Sequence, residues 1–279
     1  MNINIDTSLD IYNGSGGFGD ALMCMNKYKK LGLHLNPHGT LQHWTEQQSA
    51  VILIEKLFAL NDIQLPPNGE YLVHYKPGYV NVLKEIKNKQ NTFTTTWNGN
   101  IENNESALQH FESDFVEIEP FMDIKGEPIS IELPDNFFIL QLDAGLMYHN
   151  DRKHWKNPNL ALGIALPLLN KYNLECFVIG GDNDKYHYNL LDKRFHDLNL
   201  LGFQSIEIFK KAKFVIGLSS FVTLLSCMLK IPTIYKKEND HVHSSYYSHP
   251  EWSKVLTPID ELDTDLHLIL EKIKQYVGT

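Results

Sequence analysis

The sequence lacks several features that would place it in a specialised class of protein. It has three cysteines, Cys24, Cys176 and Cys227, which are far apart and lie in apolar surroundings. Such a set is neither a disulfide framework nor a zinc site, so we interpret them as reduced, packed side chains. No apolar run approaches the ~20 residues of a membrane span. The first residues have neither the basic nor the apolar segment of a signal peptide. We therefore expect a soluble, cytoplasmic protein.

An excess of basic residues is also missing. Lys and Arg number 25 against 34 Asp and Glu, which gives a formal net charge of −9 over 279 residues. Proteins that bind nucleic acid mainly through phosphates are usually basic on at least one face. The acidic balance therefore disfavours a nucleic-acid partner without excluding one. The length suits one large domain or two of ordinary size.

What the sequence does contain is an alternation of apolar strands and helices, seen twice. Residues 123–135 separate the two halves, because Gly126, Pro128 and Pro134 among charged residues indicate a linker. Strands that alternate with helices through short connections are typical of doubly wound parallel sheets. We predict two Rossmann-like domains, residues 1–125 and 126–279, that face a cleft at the carboxyl ends of their strands.

The individual predictions in the first half follow from the spacing of apolar residues and from breaker residues. We predict strands at residues 9–13, 70–75 and 115–118, helices at 21–28, 41–60 and 80–87, and a loop or edge at 88–104. In the second half we predict strands at residues 137–142, 176–179, 214–216 and 233–235, and helices at 160–172, 186–195, 205–211, 220–229 and 259–276.

A glycine-rich turn, GSGGFGD at residues 14–20, lies between the first strand and the first helix. Gly16, Gly17 and Gly19 allow the backbone to approach a ligand closely. The turn has the form of a dinucleotide fingerprint, but no acidic residue follows at the spacing of about 20 residues where a ribose ligand is expected. A nicotinamide or flavin cofactor is therefore disfavoured. Asp20 is either a helix N-cap or a carboxylate placed to take a proton from an acceptor hydroxyl.

Three further motifs follow strands of the second half. Ser219 and Ser220 open a helix, so they are either N-caps or, with backbone N–H groups, donors to a diphosphate. Lys153, in the loop NDRKHW, is suited to hold phosphate oxygens or is simply solvated. Gly181 and Asp182 lie at the lip of the expected cleft, where they form a turn or contact a ribose or base.

His241, His243 and His249 are close together in the sequence. A His-x-His pair on a strand points both rings one way and is able to bind metal. No carboxylate or cysteine completes a ligand set at a recognisable spacing. We favour polar loop residues over a metal site.

Four of these segments resemble glycosyltransferase family 9, the lipopolysaccharide heptosyltransferases and their autotransporter relatives. Residues 214–232 match, without a gap, the family's strand, Gly-Asn-Asp-Ser-Gly turn, helix and Gly-Val-Pro. Residues 205–212 resemble its Ser-Leu-x-Glu-Leu…Ala helix, and residues 151–155 its basic-x-Trp-Pro loop. Residues 17–20 resemble the Gly-Asp of its first helix. Departures are Ser219 for Asp, Phe221 for Gly and Leu224 for His.

The resemblance implies the two-domain glycosyltransferase B fold, whose carboxyl-terminal helix, here residues 259–276, crosses back onto the first domain. It implies a nucleotide sugar as substrate, with no separate cofactor and no metal. Asp20 would be the base. Lys153, Ser219 and Ser220 would contact the donor phosphates.

On this basis the expected function is an inverting, metal-independent transfer of a sugar from a nucleotide-sugar donor. The acceptor is a glycan or another hydroxyl-bearing molecule. The donor side would include Gly16, Gly17, Gly19, Gly181 and Asp182. Two alternatives stay open. One is a nucleotide-sugar epimerase of the two-domain type, and the other is a degenerate glycosyltransferase-like binding protein.

Overall fold

The computed structural model describes residues 8–15, 18–31, 34–45, 50–63, 70–75, 92–95, 119–143, 155, 158–180, 187–236, 249–259 and 266–277. The chain divides into two compact units, Met1–Glu119 and Pro120–Thr279. The sequence places this boundary slightly later, between residues 125 and 126. The assignment of acceptor and donor to the two units stays a prediction.

The first unit is built on a parallel sheet with a helix after each of its first two strands. Its elements are β1 (Ser8–Ser15), α1 (Phe18–Leu31), β2 (His34–Thr45), α2 (Ala50–Leu60), β3 (Glu70–Tyr75) and β4 (Thr92–Thr95). The strand order is β3-β2-β1-β4, and every neighbouring pair is parallel. The chain therefore moves outward from β1 through β2 and β3 and then returns to the other side of β1. The first four strands of a Rossmann fold have this order.

The helix α1 is held by burial along its middle. Residues 21–26 are all buried, and they include Cys24 and the polar Asn26. The Asn26 side chain bonds to both main-chain polar groups of Glu119, as a neighbouring strand would. Its Nδ2 donates to the Glu119 carbonyl at 2.7 Å, and its Oδ1 accepts from the Glu119 amide at 2.9 Å. Both polar atoms of a buried amide are thereby satisfied, so the end of the first unit is tied to α1.

The predicted helix over residues 41–60 is wrong in its first part, which belongs to β2. This strand contains Pro37 and Gly39, residues that weaken a strand prediction. Its register with β1 is irregular at that point, because the paired residues of β2 jump from Leu35 to Thr40. Pro37 and Gly39 lie in the skipped segment and disturb no regular pairing. Strand β4 falls within the stretch predicted as a loop or an edge, and it is an edge strand.

The second unit has a six-stranded sheet, also parallel throughout. Its strands are β5 (Phe137–Gln141), β6 (Glu175–Ile179), β7 (Phe195–Asp197), β8 (Val215–Gly217), β9 (Thr233–Lys236) and β10 (Leu256–Ile259). Its helices are α3 (Pro158–Tyr172), α4 (Tyr188–Leu191), α5 (Gln204–Phe209), α6 (Phe221–Met228) and α7 (Leu266–Val277). The strand order is β10-β9-β8-β5-β6-β7. Counted within the unit from its opposite edge, this is 3-2-1-4-5-6, the standard Rossmann order.

The core of this unit lies on both faces of the sheet. All five residues of β5 are buried, as a central parallel strand requires. The rings of Phe138 and Phe214 stack with their centroids 5.0 Å apart. Ile269 and Ile273 of α7 belong to the same apolar cluster. The contacts described for α7 lie within the second unit, and its crossing back onto the first domain stays a prediction.

Residues 120–136, which the sequence suggests as a linker, pack on the second unit. The Met122 amide donates to the Met228 carbonyl at 2.9 Å, and the Gly126 amide donates to the Glu207 carboxylate at 2.7 Å. A Cβ on Gly126 would lie 2.5 Å from the Phe203 carbonyl oxygen. Gly126 therefore allows close packing against α5 rather than freedom of the chain.

Two other helices predicted in the second half include, at one end, a residue that belongs to a strand. The helix expected at residues 186–195 is the short α4, and Phe195 begins the strand β7. Of the helix expected at residues 259–276, Ile259 is the last residue of β10, residues 266–276 are in α7 as predicted, and residues 260–265 lie outside the described part. The expected helix at 80–87 and strand at 115–118 lie outside the described residues. None of the helices described is long and apolar enough to cross a membrane.

Candidate functional site

The second sheet changes direction between β5 and β8, which are neighbours. From β5 the chain moves outward through β6 and β7, and it then returns to β8 on the other side of β5. In open α/β sheets, ligands bind at the carboxyl ends of the two strands that flank such a switch point. Here those ends are Gln141 of β5 and Gly217 of β8.

Gln141 joins the two sides of the switch point with its side chain. This residue is fully buried. Its Oε1 accepts from the Leu218 amide at 3.0 Å and from the Ser220 hydroxyl at 2.9 Å. Its Nε2 donates to the Asp143 carbonyl at 3.0 Å. The sequence analysis did not single out Gln141, because one polar residue at the end of an apolar run does not indicate a role.

The turn after β8 is held from a second direction by α6. The Thr223 hydroxyl donates to the Leu218 carbonyl at 2.6 Å. A Cβ on Gly217 would lie 2.9 Å from the Thr223 Oγ1 and 3.5 Å from the Gln141 Oε1. The first of these distances is too short for a Cβ and the second is ordinary contact, so a side chain at Gly217 would displace the Thr223 hydroxyl. Leu218 thus has both of its main-chain polar groups bonded to side chains.

Ser220 is the N-cap of α6, the structural alternative that the sequence left open. Its Oγ accepts from the Val222 amide at 3.2 Å while its hydrogen is donated to Gln141. A hydroxyl has one hydrogen, so Ser220 does not donate to a phosphate while it donates to Gln141. Ser219 lies beside it and is 5% exposed. Among the departures from the family motif, Leu224 is buried and Phe221 is half-buried.

On the β6 side, backbone atoms approach each other very closely. Gly180 has a φ of +71°, and a Cβ there would lie 1.9 Å from the Asp143 carbonyl oxygen. The Gly180 amide donates to the Asn199 side chain at 2.9 Å. Asn199 in turn is held by Asp197, whose carboxylate accepts from its amide at 2.8 Å. Gly181 and Asp182, the predicted ribose or base contacts, lie outside the described residues.

The loop that carries Lys153 is anchored at the same point. Lys153 itself lies outside the described residues. Trp155, two positions later, is 3% exposed, and its Nε1 donates to the Gln141 carbonyl at 2.9 Å. The structure therefore places Trp155 and the turn of Ser219 and Ser220 at one strand end, and the position of Lys153 stays a prediction.

In the first unit, the corresponding switch point lies at β1. The chain passes from β1 into α1, and Asp20 is in the first turn of that helix. The helix begins at Phe18, so Asp20 is its third residue and not its N-cap. A carboxylate in this turn is stabilised by the positive end of the helix dipole. Gly19 and Asp20 are half-buried. Gly16 and Gly17 lie outside the described residues.

The cysteines have the packed, reduced role that the sequence predicts. All three are free and buried. Burial raises the pKa of the Cys176 and Cys227 thiols well above the ordinary value, so neither is a thiolate nucleophile at neutral pH. Burial also raises the pKa of Tyr235 to about 12.

Of the three clustered histidines, the structure describes His249 alone. Its Nδ1 accepts from the Glu251 amide at 3.1 Å, and its ring lies 5.6 Å from that of Trp252. The described part of the chain contains no group of three His, Cys, Asp or Glu side chains able to hold a metal ion. His241 and His243 lie outside that part, so the question of a metal there stays open.

Comparison with known proteins gives a likeness of fold. No protein-family model matches the chain, and a search of curated proteins finds no match. Among solved structures, a glycosyl transferase family 9 protein from Veillonella parvula DSM 2008 is similar over 98% of this chain and 92% of its own, with a TM-score of 0.54 and 9% identity. The chain has the fold of a family 9 glycosyltransferase.

A second family 9-like structure agrees with the first. It is E. coli heptosyltransferase WaaC with ADP-2-deoxy-2-fluoro heptose, similar over 96% of this chain and 99% of its own, at a TM-score of 0.51 and 10% identity. The α/β fold class that the sequence predicts is confirmed by these likenesses and by the strand orders of both sheets.

Proposed function

We propose that the chain is a nucleotide-sugar-dependent glycosyltransferase. The observation that supports the proposal is the switch point of the second sheet, where Gln141 bonds to the turn of Ser219 and Ser220 with its side chain and to Trp155 with its main-chain carbonyl. The family 9 fold agrees with it. In the proposal the second unit binds the donor, with Gly181 and Asp182 toward the ribose or base.

The proposed reaction is a direct displacement at the anomeric carbon. Asp20 takes the proton of the acceptor hydroxyl, and the acceptor oxygen forms a bond to the anomeric carbon. The bond from that carbon to the phosphate oxygen breaks at the same time, so the configuration inverts and the nucleoside diphosphate leaves. Gly16, Gly17 and Gly19 let the backbone beside Asp20 approach the substrates closely.

The leaving diphosphate carries negative charge that must be stabilised. In the proposal Lys153 contacts its oxygens, and Ser219 and Ser220 shape the turn on which it rests. Such preorganised groups stabilise charge as it develops in the transition state. Metal independence belongs to the proposal, since lysine and the start of α6 would supply that positive potential.

A panel of nucleotide sugars tests the proposal. We expect one donor to raise the melting temperature, because a ligand that binds only the folded state stabilises it by mass action. With that donor and the matching acceptor, nucleoside diphosphate should be released. Donor binding without release would favour a degenerate binding protein. Conversion of the donor to its epimer without an acceptor would favour an epimerase. Turnover that EDTA abolishes and a divalent metal restores would contradict metal independence.

Asp20→Asn tests the base. We expect turnover to fall ~10²–10⁴-fold, because asparagine does not accept the proton. The loss of a favourable charge in the first turn of α1 should cost only ~0.3–1 kcal/mol of stability. Donor affinity should be unchanged. Wild-type turnover in Asp20→Asn would show that the carboxylate serves the helix alone.

Lys153→Ala tests the donor phosphates. We expect weaker binding of the nucleotide sugar, because a charge-assisted contact contributes roughly 1.5–3 kcal/mol. Arg152→Ala is the matched control, since it removes an equal charge from the neighbouring position of the same loop. Equal losses in the two variants would mean that the loop acts by general charge and that Lys153 has no specific contact.

A further inference from the structure

Two donors from one turn converge on a single side-chain oxygen at the switch point. The Leu218 amide and the Ser220 hydroxyl both donate to Gln141 Oε1, at 3.0 and 2.9 Å. The turn belongs to the segment between β8 and α6, whereas Gln141 belongs to β5. The bonds therefore cross the switch point, where the chain turns from adding strands on one side of β5 to adding them on the other, and Gln141 is fully buried there.

We propose that Gln141 is a positioning residue, which sets the conformation of the turn that would receive the donor diphosphate. This rests on the proposed function. Without Gln141 the buried Leu218 amide would have no acceptor, and an unsatisfied buried amide is energetically costly. We therefore expect the turn to move until this amide finds another acceptor. Leu218 is buried, as is Thr223, which holds the Leu218 carbonyl at 2.6 Å. The turn is thus fixed from the strand on one side and from the helix on the other.

The amide nitrogen of the Gln141 side chain connects the turn to the loop after β5. Gln141 Nε2 donates to the Asp143 carbonyl at 3.0 Å, and the Gln141 carbonyl accepts from Trp155 at 2.9 Å. The Gln141 side chain therefore bonds to the loop after its own strand and to the Ser220 turn, while its main-chain carbonyl bonds to Trp155. Removing its side chain should alter affinity for the diphosphate more than it alters the chemical step.

Gln141→Met tests this, because methionine has a similar length and volume but neither accepts nor donates in this way. Gln204→Met is the matched control. Gln204 Oε1 also accepts from a backbone amide and a serine hydroxyl, those of Ser130, at 2.7 and 2.8 Å. Both variants lose bonds accepted from a backbone amide and a serine hydroxyl, which are exposed at Gln204 and buried at Gln141, and only Gln141 faces the turn after β8.

The measurement is the dissociation constant of each folded variant for ADP, UDP and GDP, taken by calorimetry below the melting temperature. We expect Gln141→Met to bind at least about tenfold more weakly the nucleotide that wild type binds. This change in affinity is comparable to the loss of one hydrogen bond to a charged group. Gln204→Met should bind as wild type does. Exchange of the Leu218 amide should quicken in Gln141→Met alone.

The outcomes separate two kinds of failure. If wild type binds none of the three nucleotides and no nucleotide sugar, the proposed function fails, and this inference fails with it. If wild type binds one and Gln141→Met binds it within twofold, only the positioning role is overturned. Equal weakening in Gln204→Met would also overturn it, because the effect would then be a general loss of stability.

Gln141→Glu covers the case in which the methionine variant does not fold. The glutamate keeps an oxygen for Leu218 and Ser220 but places a negative charge beside the turn. We expect the diphosphate affinity to fall at least about tenfold at low salt and to recover partly at high salt, since salt screens charge. Unchanged affinity for the nucleotide, with Gln204→Glu as control, would overturn the assignment.

Discussion

The two ends of the six-stranded sheet are held by different kinds of polar group. At the carboxyl end, around the switch point between β5 and β8, uncharged groups hold close-packed backbone: the Gln141 amide, the Ser220 hydroxyl and a glycine at position 180. At the amino end, charged side chains hold the chain. Arg194, just before β7, donates to the Asp192 carboxylate at 2.6 and 3.0 Å and to the Leu169 carbonyl at 2.6 Å.

This difference between the two ends predicts that the carboxyl end serves nucleotide binding and the amino end serves folding stability. The Gln141 amide and the Ser220 hydroxyl fix the turn without placing a negative charge beside it, which suits a phosphate ligand. Ion pairs with several hydrogen bonds fix a structure by satisfying their own charges. The amino end should therefore contribute to folding alone, and changes at the two ends should have different consequences for nucleotide binding.

The largest effect on stability is expected from Gly180→Ala. An alanine there must adopt a φ of +71° with its Cβ 1.9 Å from the Asp143 carbonyl oxygen. Backbone strain and overpacking together should cost roughly 2–5 kcal/mol of unfolding free energy, measured by urea denaturation. The neighbouring end of β5 should shift, so nucleotide binding should also fall.

Alanine substitutions at two other glycines distinguish the cost of backbone strain at Gly180 from the cost of its close contact with Asp143. Gly202 has a φ of +51° with nothing within 4 Å of an added Cβ, so alanine there should cost about 1–3 kcal/mol from strain alone. Gly163 lies on α3 with open space around it, and alanine should stabilise the helix by ~0.5–1 kcal/mol. If Gly180→Ala costs no more than Gly202→Ala, the close approach to Asp143 is not restrictive.

Arg194→Met should have an intermediate effect, confined to stability. The change removes the pair with Asp192 and the bond from Arg194 to the Leu169 carbonyl. Both side chains of the pair are partly exposed, so we expect a loss of about 1–2 kcal/mol by urea denaturation. Nucleotide affinity should be unchanged. A loss of affinity equal to that in Gly180→Ala would remove the distinction between the two ends.

Lys254→Met is the control for Arg194→Met. Its ion pair with Glu251, at 2.6 Å, is largely exposed to solvent. Such pairs contribute little, because water and salt screen them. The midpoint of the urea transition should therefore not move.

A smaller effect is expected from acid. The Arg194 side chain beside Asp192 lowers the pKa of that carboxyl from 3.8 to about 2. A lowered pKa in the folded state adds stability that is complete above the unfolded value and is lost as the pH falls toward 2. The difference in stability between wild type and Asp192→Asn should therefore shrink between pH 5 and pH 2. A constant difference over that range would mean that the carboxylate is not paired in solution.

Much of the second unit was predictable because uninterrupted apolar runs mark its central strands. The strand at 137–142 and the helix at 160–172 agree with β5 and α3 to within two residues. The strands that sequence missed are of another kind. β7 has three residues and β10 contains Pro258, and both are edge strands, which tolerate short length and proline. β2 was missed because Pro37 and Gly39 interrupt its pattern, although its pairing absorbs them.

The candidate site was predictable only in part. Serines at a strand-to-helix turn indicate a cap or an anion site, and the structure shows the cap at Ser220. Gln141 had no local signal, because its role depends on a turn far along the chain. Contacts of that kind arise from strand order, which one sequence does not give. The roles of Lys153, Gly181 and Asp182 stay predictions, since these residues lie outside the described part.

Hydrogen–deuterium exchange with saturating nucleoside diphosphate tests the central claim most directly. The claim is that the carboxyl end of the second sheet, at the Gln141 switch point, binds the donor diphosphate. We expect peptides that contain residues 217–223 to exchange more slowly with the nucleotide bound, while peptides around Arg194 are unchanged. Protection at residues 192–194 without protection at 217–223 would contradict the account.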